Sequence, residues 1–261
     1  MSTVVETSLL SLHEINDEFM VSREKSKVEQ MFNTIAWRYD FLNHFLSLGI
    51  DVWWRKRAVA RLPENENGNL LDVAVGTADL TITLLKKTRA GRITGIDISD
   101  EMMAIGRAKI ARAGFADKTE LLNGDCEALP FADNAFDVVT VSFGIRNFQH
   151  PQKALSEMHR VLKGGGQLLV LELSRSRNRV VRWLFELYFC HILPLIGRLI
   201  SRGSNGAYSY LPKSVRTFVG GEKFAGWMTD AGFDQVEFHP MTLGLVTIYI
   251  GTKKEITNCV N

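Results

Sequence analysis

The amino-acid sequence predicts an α/β fold, a doubly wound sheet of mostly parallel strands with helices on both faces. Two observations carry this prediction. From residue 69 onward, short β-rich runs alternate with segments of helical periodicity, which is the pattern of parallel strands joined by crossover helices. The chain then closes with two strand-like runs joined so closely that we expect them to pair as antiparallel neighbours.

The predicted elements follow one another in a regular order. Seven strands are short and apolar: NLLDVAV, RITGIDI, TELLNGD, AFDVVTVSFG, QLLVLELS, DQVEFHPM and LGLVTIYIGTKK. Four helical patterns lie between them: ADLTITLLKKTRA, SDEMMAIGRAKIARAGF, HPQKALSEMHRVLK and GEKFAGWMTDAGF. Ser99 is suited to cap the second of these helices, because its hydroxyl can accept a backbone N–H of the first turn.

The chain is expected to form one large domain with short tails. Residues 27–254 make up the domain, 1–26 an N-terminal tail and 255–261 a C-terminal tail. The aromatic-rich segment MFNTIAWRYDFLNHFLSLGIDVWWRKRAV precedes the first strand and predicts a helical N-terminal extension. Residues 175–220 interrupt the alternation, so we expect a helical insertion on the substrate side of the sheet.

Composition excludes several classes of partner and cofactor. With 46% hydrophobic and 23% charged residues the chain is globular, and a net charge of +2 implies no nucleic-acid partner. The three cysteines, Cys126, Cys190 and Cys259, lack the spacing of a disulfide framework or a zinc site. No cluster of histidine and aspartate asks for a metal, so none is predicted.

Neither the N-terminus nor the most apolar segment of the chain indicates export or a membrane span. The N-terminal residues are acidic where a signal peptide would be basic. The segment from Val180 to Ile200 is interrupted by arginine, glutamate, histidine and proline, which is typical of amphipathic helices. We therefore expect a cytoplasmic protein.

Three strand ends carry side chains suited to a ligand, because open α/β sheets bind ligands beyond the carboxyl ends of their strands. After the first strand, Gly76 lets the backbone approach a ligand, and Thr77 and Asp79 offer oxygens. Asp97 ends the second strand about twenty residues later, where a carboxylate can accept both hydroxyls of a ribose. Asp125 and Cys126 follow the third strand, where a carboxylate can receive the amine of adenine.

The first loop distinguishes two kinds of nucleotide ligand. A dehydrogenase that binds NAD needs the glycines of G-x-G-x-x-G to approach a pyrophosphate. Here Ala74 and Ala78 stand where two of those glycines would be, and only Gly76 is present. A ligand with ribose and adenine but without phosphates, S-adenosylmethionine, fits this loop better.

Four motifs carry a resemblance to a known family. DVAVGTAD, GIDISDEM, GDCEALPFADNAFDVVTVSFGIRN and ALSEMHRVLKGGGQLLVLE resemble the class I S-adenosylmethionine methyltransferases of the UbiE/MenG type, which methylate a ring carbon of prenylated quinols. The similarity extends over roughly residues 27–253, and its most specific part is SFGIRN together with the N-terminal segment MFNTIAWRYDFLNHFLSLGIDVWWR. It implies a Rossmann-like, seven-stranded sheet with an antiparallel C-terminal strand. It also implies these cofactor contacts: Thr77, Asp97, Asp125, Cys126 and Ser142.

The resemblance leaves the substrate ring partly open. The GTAD form of the first loop is more like the menaquinone branch, which implies conversion of demethylmenaquinol to menaquinol. Methylation of a 2-methoxy-6-polyprenyl-benzoquinol is the alternative within the same chemistry. A regulatory or assembly protein that binds S-adenosylmethionine without turnover is the alternative of a different class, and SFGIRN argues against it.

Arg146 and Asn147 are the predicted catalytic residues, together with Tyr39. Carbon methylation requires an electron-rich ring held in line with the methyl donor, and negative charge on a ring oxygen raises its reactivity. Arg146 and Asn147 follow the fourth strand, where they would orient the quinol oxygens, with Arg146 stabilising a developing phenolate. Arg146 is a poor base, because its pKa exceeds about 12. Tyr39 would close over the cofactor, although helix packing explains it equally well.

The segment from Val180 to Ile200 is the natural place for a prenyl tail. Its aromatic residues lie beside arginines, a pairing that favours weak contact with anionic lipid. We expect transient docking on the inner face of the membrane. The sequence also leaves a homodimer open.

Overall fold

The computed structural model describes residues 24–63, 67–188 and 214–255. Its strands are β1 (Asn69–Val73), β2 (Arg92–Asp97), β3 (Thr119–Asn123), β4 (Phe136–Ser142), β5 (Leu162–Leu173), β6 (Phe233–Met241) and β7 (Val246–Lys253). Its longer helices are α1 (Lys25–Leu46), α2 (Ile50–Val59), α3 (Asp79–Lys87), α4 (Asp100–Arg112), α5 (Pro151–Val161), α6 (Arg179–Leu187) and α7 (Glu222–Asp230). Residues 1–23 of the predicted N-terminal tail, 256–261 of the predicted C-terminal tail and 189–213 of the predicted insertion lie outside the described residues.

One seven-stranded sheet organises the chain, in the order β3-β2-β1-β4-β5-β7-β6. Strands β1 to β5 pair in parallel, and β7 runs antiparallel to both β5 and β6. The predicted fold class is confirmed, including the antiparallel C-terminal strand. After β3 the chain returns to the other side of β1, so the order reverses between β1 and β4 and leaves a crevice at their carboxyl ends.

Side chains from alternate strand positions build a core on each face of the sheet. On one face Leu71, Val139 and Leu168 pack with helices α5 and α7. On the other, Leu70 and Val138 pack with α3, and Leu169 packs with α2. This alternation follows from the two-residue period of a strand. Both faces are therefore covered by helices, as predicted.

Two strands differ in length from the prediction for backbone reasons. Strand β1 ends at Val73 rather than Val75, because Ala74 adopts a left-handed backbone with φ of 55° and turns the chain. Strand β5 begins at Leu162 rather than Gln167, and residues 163–166 bulge out of register with β4. Gly166 is required in that bulge, since a Cβ there would lie 2.9 Å from the Asp137 carbonyl oxygen.

The N-terminal extension is two helices rather than one. Helix α1 ends at Leu46 and α2 begins at Ile50, and Leu48 and Gly49 between them have φ of 52° and 77°. Within the described ranges, no helix combines the length and apolar character needed to span a bilayer.

Asp72 makes stability depend on pH. It lies buried in β1, where its carboxylate accepts hydroxyl hydrogen bonds from Thr81 (2.5 Å) and Thr140 (2.9 Å). Burial raises the pKa of Asp72 to about 6, although those hydrogen bonds lower it. The folded protein therefore favours the neutral carboxyl of Asp72. Because the folded pKa exceeds the unfolded one, the protein is most stable below the unfolded pKa, and this stability is lost as pH rises through about 6.

We predict that Asp72→Asn gains stability relative to the parent as pH rises. Between about pH 4.5 and pH 7 the difference in unfolding free energy should change by about 2 kcal/mol in favour of the variant. Urea denaturation of both proteins at several pH values measures this difference. A difference that stays constant with pH would show that Asp72 titrates normally in the folded protein.

Candidate functional site

A cavity of about 70 Å³ lies at the carboxyl ends of β1 to β4, beneath helix α1. Seven of the predicted site residues line it: Tyr39, Gly76, Asp97, Asp125, Cys126, Ser142 and Asn147. The fold therefore brings together residues that are more than one hundred positions apart in the sequence.

Asp97 is held in a fixed orientation by two backbone donors. The Gly76 N–H donates to Asp97 Oδ2 at 2.8 Å, and the Ser99 N–H donates to Oδ1 at 2.9 Å. Burial raises the pKa of Asp97, while hydrogen bonds from the backbone N–H groups of Ser99, Gly76 and Ile98 lower it. Each oxygen retains a lone pair, so the carboxylate can accept two hydroxyls of a ribose in the cavity.

The opposite part of the cavity is charged. Asp125 Oδ1 accepts the Glu127 N–H at 2.8 Å, and Oδ2 accepts Lys25 Nζ at 2.5 Å. Burial raises the pKa of Asp125, but the hydrogen bonds from Lys25 and the Glu127 N–H and the positive charges of Lys25 and Lys153 together hold the pKa below its usual value. Burial raises the pKa of the Cys126 thiol, so this side chain stays neutral and offers an apolar surface beside the ionised Asp125.

Ser142 supplies a further observation that fits a polar ligand. Its Oγ is buried and has no hydrogen-bond partner among the described residues, and the residue lines the cavity. A buried hydroxyl without a partner is costly, which a ligand with a donor or acceptor at this point would relieve. Together with the fixed carboxylate of Asp97, this hydroxyl fits a ligand that carries a ribose and several polar groups.

The structure places Thr77 and Asp79 outside the lining of this cavity. Thr77 is buried, and its hydroxyl donates to Asp40 Oδ1 of helix α1 at 2.5 Å. Lys109 bonds to Asp79 and lies 2.7 Å from Asp40 Oδ2. These contacts tie α1 to the start of α3 and to the last turn of α4. A cofactor contact for Thr77 or Asp79 stays a prediction.

An arginine occupies the one grouping that resembles a metal site among the described residues. His44, Asp51 and Asp79 each offer a ligand atom within 4.8 Å of the others. Arg55 Nη2, however, lies 2.8 Å from Asp51 and 3.2 Å from Asp79, so its positive charge already serves these carboxylates. A divalent cation here would be repelled by the guanidinium.

A second, apolar cavity of about 380 Å³ meets the first. Tyr39 and Phe143 line both cavities and therefore stand at their junction. The walls of the second cavity come from α1, α2, α6 and the segment before β7, and they include Leu48, Ile50, Trp54, Leu173, Val181, Leu184, Phe185, Tyr188, Leu243 and Leu245. Such walls suit a large apolar molecule.

Arg146 lines the second cavity, and its charge is compensated by Glu172. The Arg146 Nη1 atom lies 2.6 Å from Glu172 Oε1 and donates to the Phe143 carbonyl oxygen at 2.5 Å. Both side chains are buried, at 6% and 0% exposed. The guanidinium is therefore fixed in place, which suits an electrostatic role and excludes the mobility of a surface arginine.

Tyr39 is the third catalytic residue that the sequence predicts. Burial raises the pKa of its hydroxyl, while the charge of Arg146 and a hydrogen bond with the Asn43 side chain lower it. The phenol is therefore neutral at physiological pH and can donate a hydrogen bond at the junction of the two cavities.

Sequence reasoning missed several residues of the site. Lys25 and Phe32 of α1 line the first cavity, and Phe143 separates the cavities. Glu172 was also missed, although a charged residue inside the apolar run LLVLEL signals a buried partner. Phe143 gives no comparable signal, because aromatic residues in buried strands are common.

Comparisons with known proteins identify the family. The model of the ubiE/COQ5 methyltransferase family matches residues 20–253. The chain belongs to this family. The methyltransferase is 43% identical over 236 residues to a Geotalea daltonii protein named ubiquinone/menaquinone biosynthesis C-methyltransferase UbiE, covering 90% of this chain and 100% of the relative. It is also 43% identical to the Bacteroides fragilis demethylmenaquinone methyltransferase, covering 88% and 94% of the two chains.

Solved structures share the fold of the methyltransferase. A Thermotoga maritima methyltransferase described as a possible histamine N-methyltransferase has a TM-score of 0.62 at 21% identity, covering 87% of this chain and 99% of its own. Phosphoethanolamine N-methyltransferase 2 of Haemonchus contortus, solved with S-adenosyl-L-methionine, has a TM-score of 0.58 at 16% identity, covering 83% and 60%. At these identities the comparison concerns the fold alone.

S-adenosylmethionine is the cofactor of this methyltransferase, as predicted. When bound, it supplies an electrophilic methyl group. Asp97 would hold its ribose and Asp125 with the Cys126 backbone its adenine, and the partnerless hydroxyl of Ser142 fits its remaining polar groups. These individual contacts stay predictions.

We predict that Asp97→Ala weakens S-adenosylmethionine binding by at least about tenfold, because two hydroxyls would lose a charged acceptor. Titration calorimetry measures the dissociation constant. Asp100→Ala is the control, since Asp100 is an exposed carboxylate three residues away that does not line the cavity. An unchanged affinity in Asp97→Ala would remove the ribose assignment.

Proposed function

We propose that this methyltransferase transfers a methyl group to a ring carbon of a prenylated quinol, converting demethylmenaquinol to menaquinol. One observation carries the proposal: a large apolar cavity meets the cofactor cavity at Tyr39 and Phe143. A prenylated ring is a large apolar molecule, and this junction is where it would meet the methyl donor. The names of the two relatives at 43% identity support the same class of substrate.

The chemistry assigns distinct tasks to the residues at the junction. A quinol, unlike a quinone, has the electrons to attack the methyl group, and negative charge on a ring oxygen strengthens the neighbouring carbon as nucleophile. The Arg146 guanidinium would stabilise that charge from the apolar cavity, and its ion pair with Glu172 holds it still. Asn147, on the cofactor side, and Tyr39 would orient the ring oxygens.

Glu172 also limits what Arg146 can contribute. Its carboxylate cancels part of the field of the guanidinium, so a developing phenolate gains less than it would from a lone cation. The ion pair also stabilises the fold. Arg146 is only 5% exposed, and a buried positive charge without a partner would be strongly destabilising. Arg146 acts here as a fixed dipole with its positive end near the junction.

The decisive experiment is methyl transfer from S-adenosylmethionine to reduced demethylmenaquinone and, separately, to a reduced methoxy-benzoquinol. We expect turnover with the naphthoquinol at least about tenfold faster. Preference for the benzoquinol would support the alternative reaction within the same class. Cofactor binding without turnover on either ring would support the non-catalytic alternative.

Variants of Arg146 locate the chemistry in this assay. Arg146→Ala should lower turnover by about a hundredfold and leave S-adenosylmethionine affinity within about twofold, since the residue lines the substrate cavity. The paired change Arg146→Met with Glu172→Gln removes both buried charges and should fold well while remaining slow. If the paired variant regained parental turnover, Arg146 would serve the fold rather than the reaction.

We further propose that the protein is cytoplasmic and docks transiently on the membrane through helix α6. Val180 and Trp183 are 64% and 60% exposed on this helix, and Arg179 and Arg182 lie beside them. Anionic lipid attracts such a surface, but the net charge of +2 is too small for firm binding. Phe189, Leu193 and Arg198, which the sequence adds to this surface, lie outside the described residues.

Two substitutions on α6 separate docking from substrate binding. Trp183 is exposed, whereas Phe185 lines the apolar cavity. Trp183→Ser should reduce co-sedimentation with anionic vesicles at low salt, and Phe185→Ser should retain it but raise the KM for a long-tailed quinol. Co-sedimentation of Trp183→Ser at the parental level would mean that α6 is not the docking element.

A further inference from the structure

Helix α1 forms one wall of the cofactor cavity, although it precedes the sheet in the sequence. Lys25, Val28, Phe32 and Tyr39 line the cavity, and Val28 is buried. The helix is joined to the rest of the protein along its length. Asn33 Oδ1 accepts the Ser99 hydroxyl at 2.6 Å, and Asp40 is bound to Thr77 and Lys109. These contacts hold the middle and the second half of α1.

The first turn of α1 is held by an ion-pair bridge from Lys25 to two carboxylates. Lys25 Nζ lies 2.5 Å from Asp125 Oδ2 and 3.1 Å from Glu127 Oε2. The three side chains differ in exposure, at 38% for Lys25, 36% for Asp125 and 3% for Glu127. The lysine therefore bridges a half-exposed carboxylate and a buried one.

Glu127 makes this bridge more than a surface ion pair. Its Oε1 accepts the His150 N–H at 2.9 Å, while Oε2 faces the lysine. A buried carboxylate needs a nearby positive charge, so lifting the first turn of α1 would leave Glu127 poorly compensated. Water reaches Lys25, however, which keeps the bridge weak enough to open by thermal motion.

We propose that Lys25 is a cofactor-gating residue: its bridge to Asp125 and Glu127 latches the first turn of α1 over the cofactor cavity. The latch opens for S-adenosylmethionine to enter and for the demethylated product to leave, and it is closed both before and after binding. Asp125 can stay paired with Lys25 while it accepts a hydrogen bond from an adenine amine, because each carboxylate oxygen has two lone pairs.

The proposal predicts a specific kinetic pattern. Lys25→Met keeps an unbranched side chain of nearly the same length and removes the charge. Association and dissociation of S-adenosylmethionine should both become about fivefold to tenfold faster, while the dissociation constant changes by less than about twofold, because the latch is present in both states. Stopped-flow binding measures both rates without any quinol, so the result is independent of the proposed substrate.

Lys27→Met is the matched control. Lys27 lies two residues away on the same helix, is 65% exposed, pairs with Glu24 and does not line the cavity. It should leave both rates at the parental values. Glu127→Gln keeps the shape of the buried partner and should accelerate both rates as Lys25→Met does.

Hydrogen exchange of the amides in residues 25–32 provides a readout apart from ligand binding. Exchange should be faster in Lys25→Met than in Lys27→Met, because the first turn of α1 would open more often. Parental rates of binding in Lys25→Met would overturn the latch. A loss of affinity beyond about tenfold with an unchanged association rate would also overturn it, since Lys25 would then contact the cofactor directly.

Discussion

The close approach of the chain after β1 to the chain after β4 is the constraint on which the site depends. Both strands are central and parallel, and the strand order reverses between them, so their carboxyl ends open the crevice. A Cβ at Gly144 would lie 2.7 Å from the Ala74 Cβ, so only glycine permits this approach. The Gly76 loop forms the floor of the cofactor cavity on one side, and Phe143 reaches the junction from the other.

Three residues other than glycine have a left-handed backbone around this crevice. Ala74, Ala78 and Phe143 have φ of 55°, 63° and 56°, a conformation that disfavours side chains by about 1 kcal/mol or more each. Phe143 is held there by two hydrogen bonds: its N–H donates to the Leu171 carbonyl oxygen at 2.7 Å, and its own carbonyl accepts Arg146 Nη1. The buried ion pair with Glu172 therefore also supports a strained turn that shapes the junction.

The sequence was sufficient for elements whose signal is local. Alternating apolar runs predicted all seven strands, and Asp97 could be placed because it ends a strand at a fixed distance from the Gly76 loop. Contacts between side chains far apart in the sequence could not be predicted. Lys25 contacts Asp125, one hundred residues later, and Glu172 of β5 contacts Arg146, which follows the neighbouring strand β4. The hydrogen bond from the Thr77 hydroxyl to Asp40 of α1 is another contact of this kind, because the two residues are 37 positions apart.

The two cavities divide the reaction between a polar and an apolar environment. Asp97, Asp125 and the Ser142 hydroxyl fit a small polar cofactor on one side, and most of the side chains that line the other side are apolar. Charge that develops during methyl transfer would therefore arise at the boundary, where Tyr39, Asn147 and Arg146 lie. Dipoles act more strongly where water is excluded than in solution, so helices α1 and α6, which wall the cavities, would strengthen such dipoles wherever they keep water out.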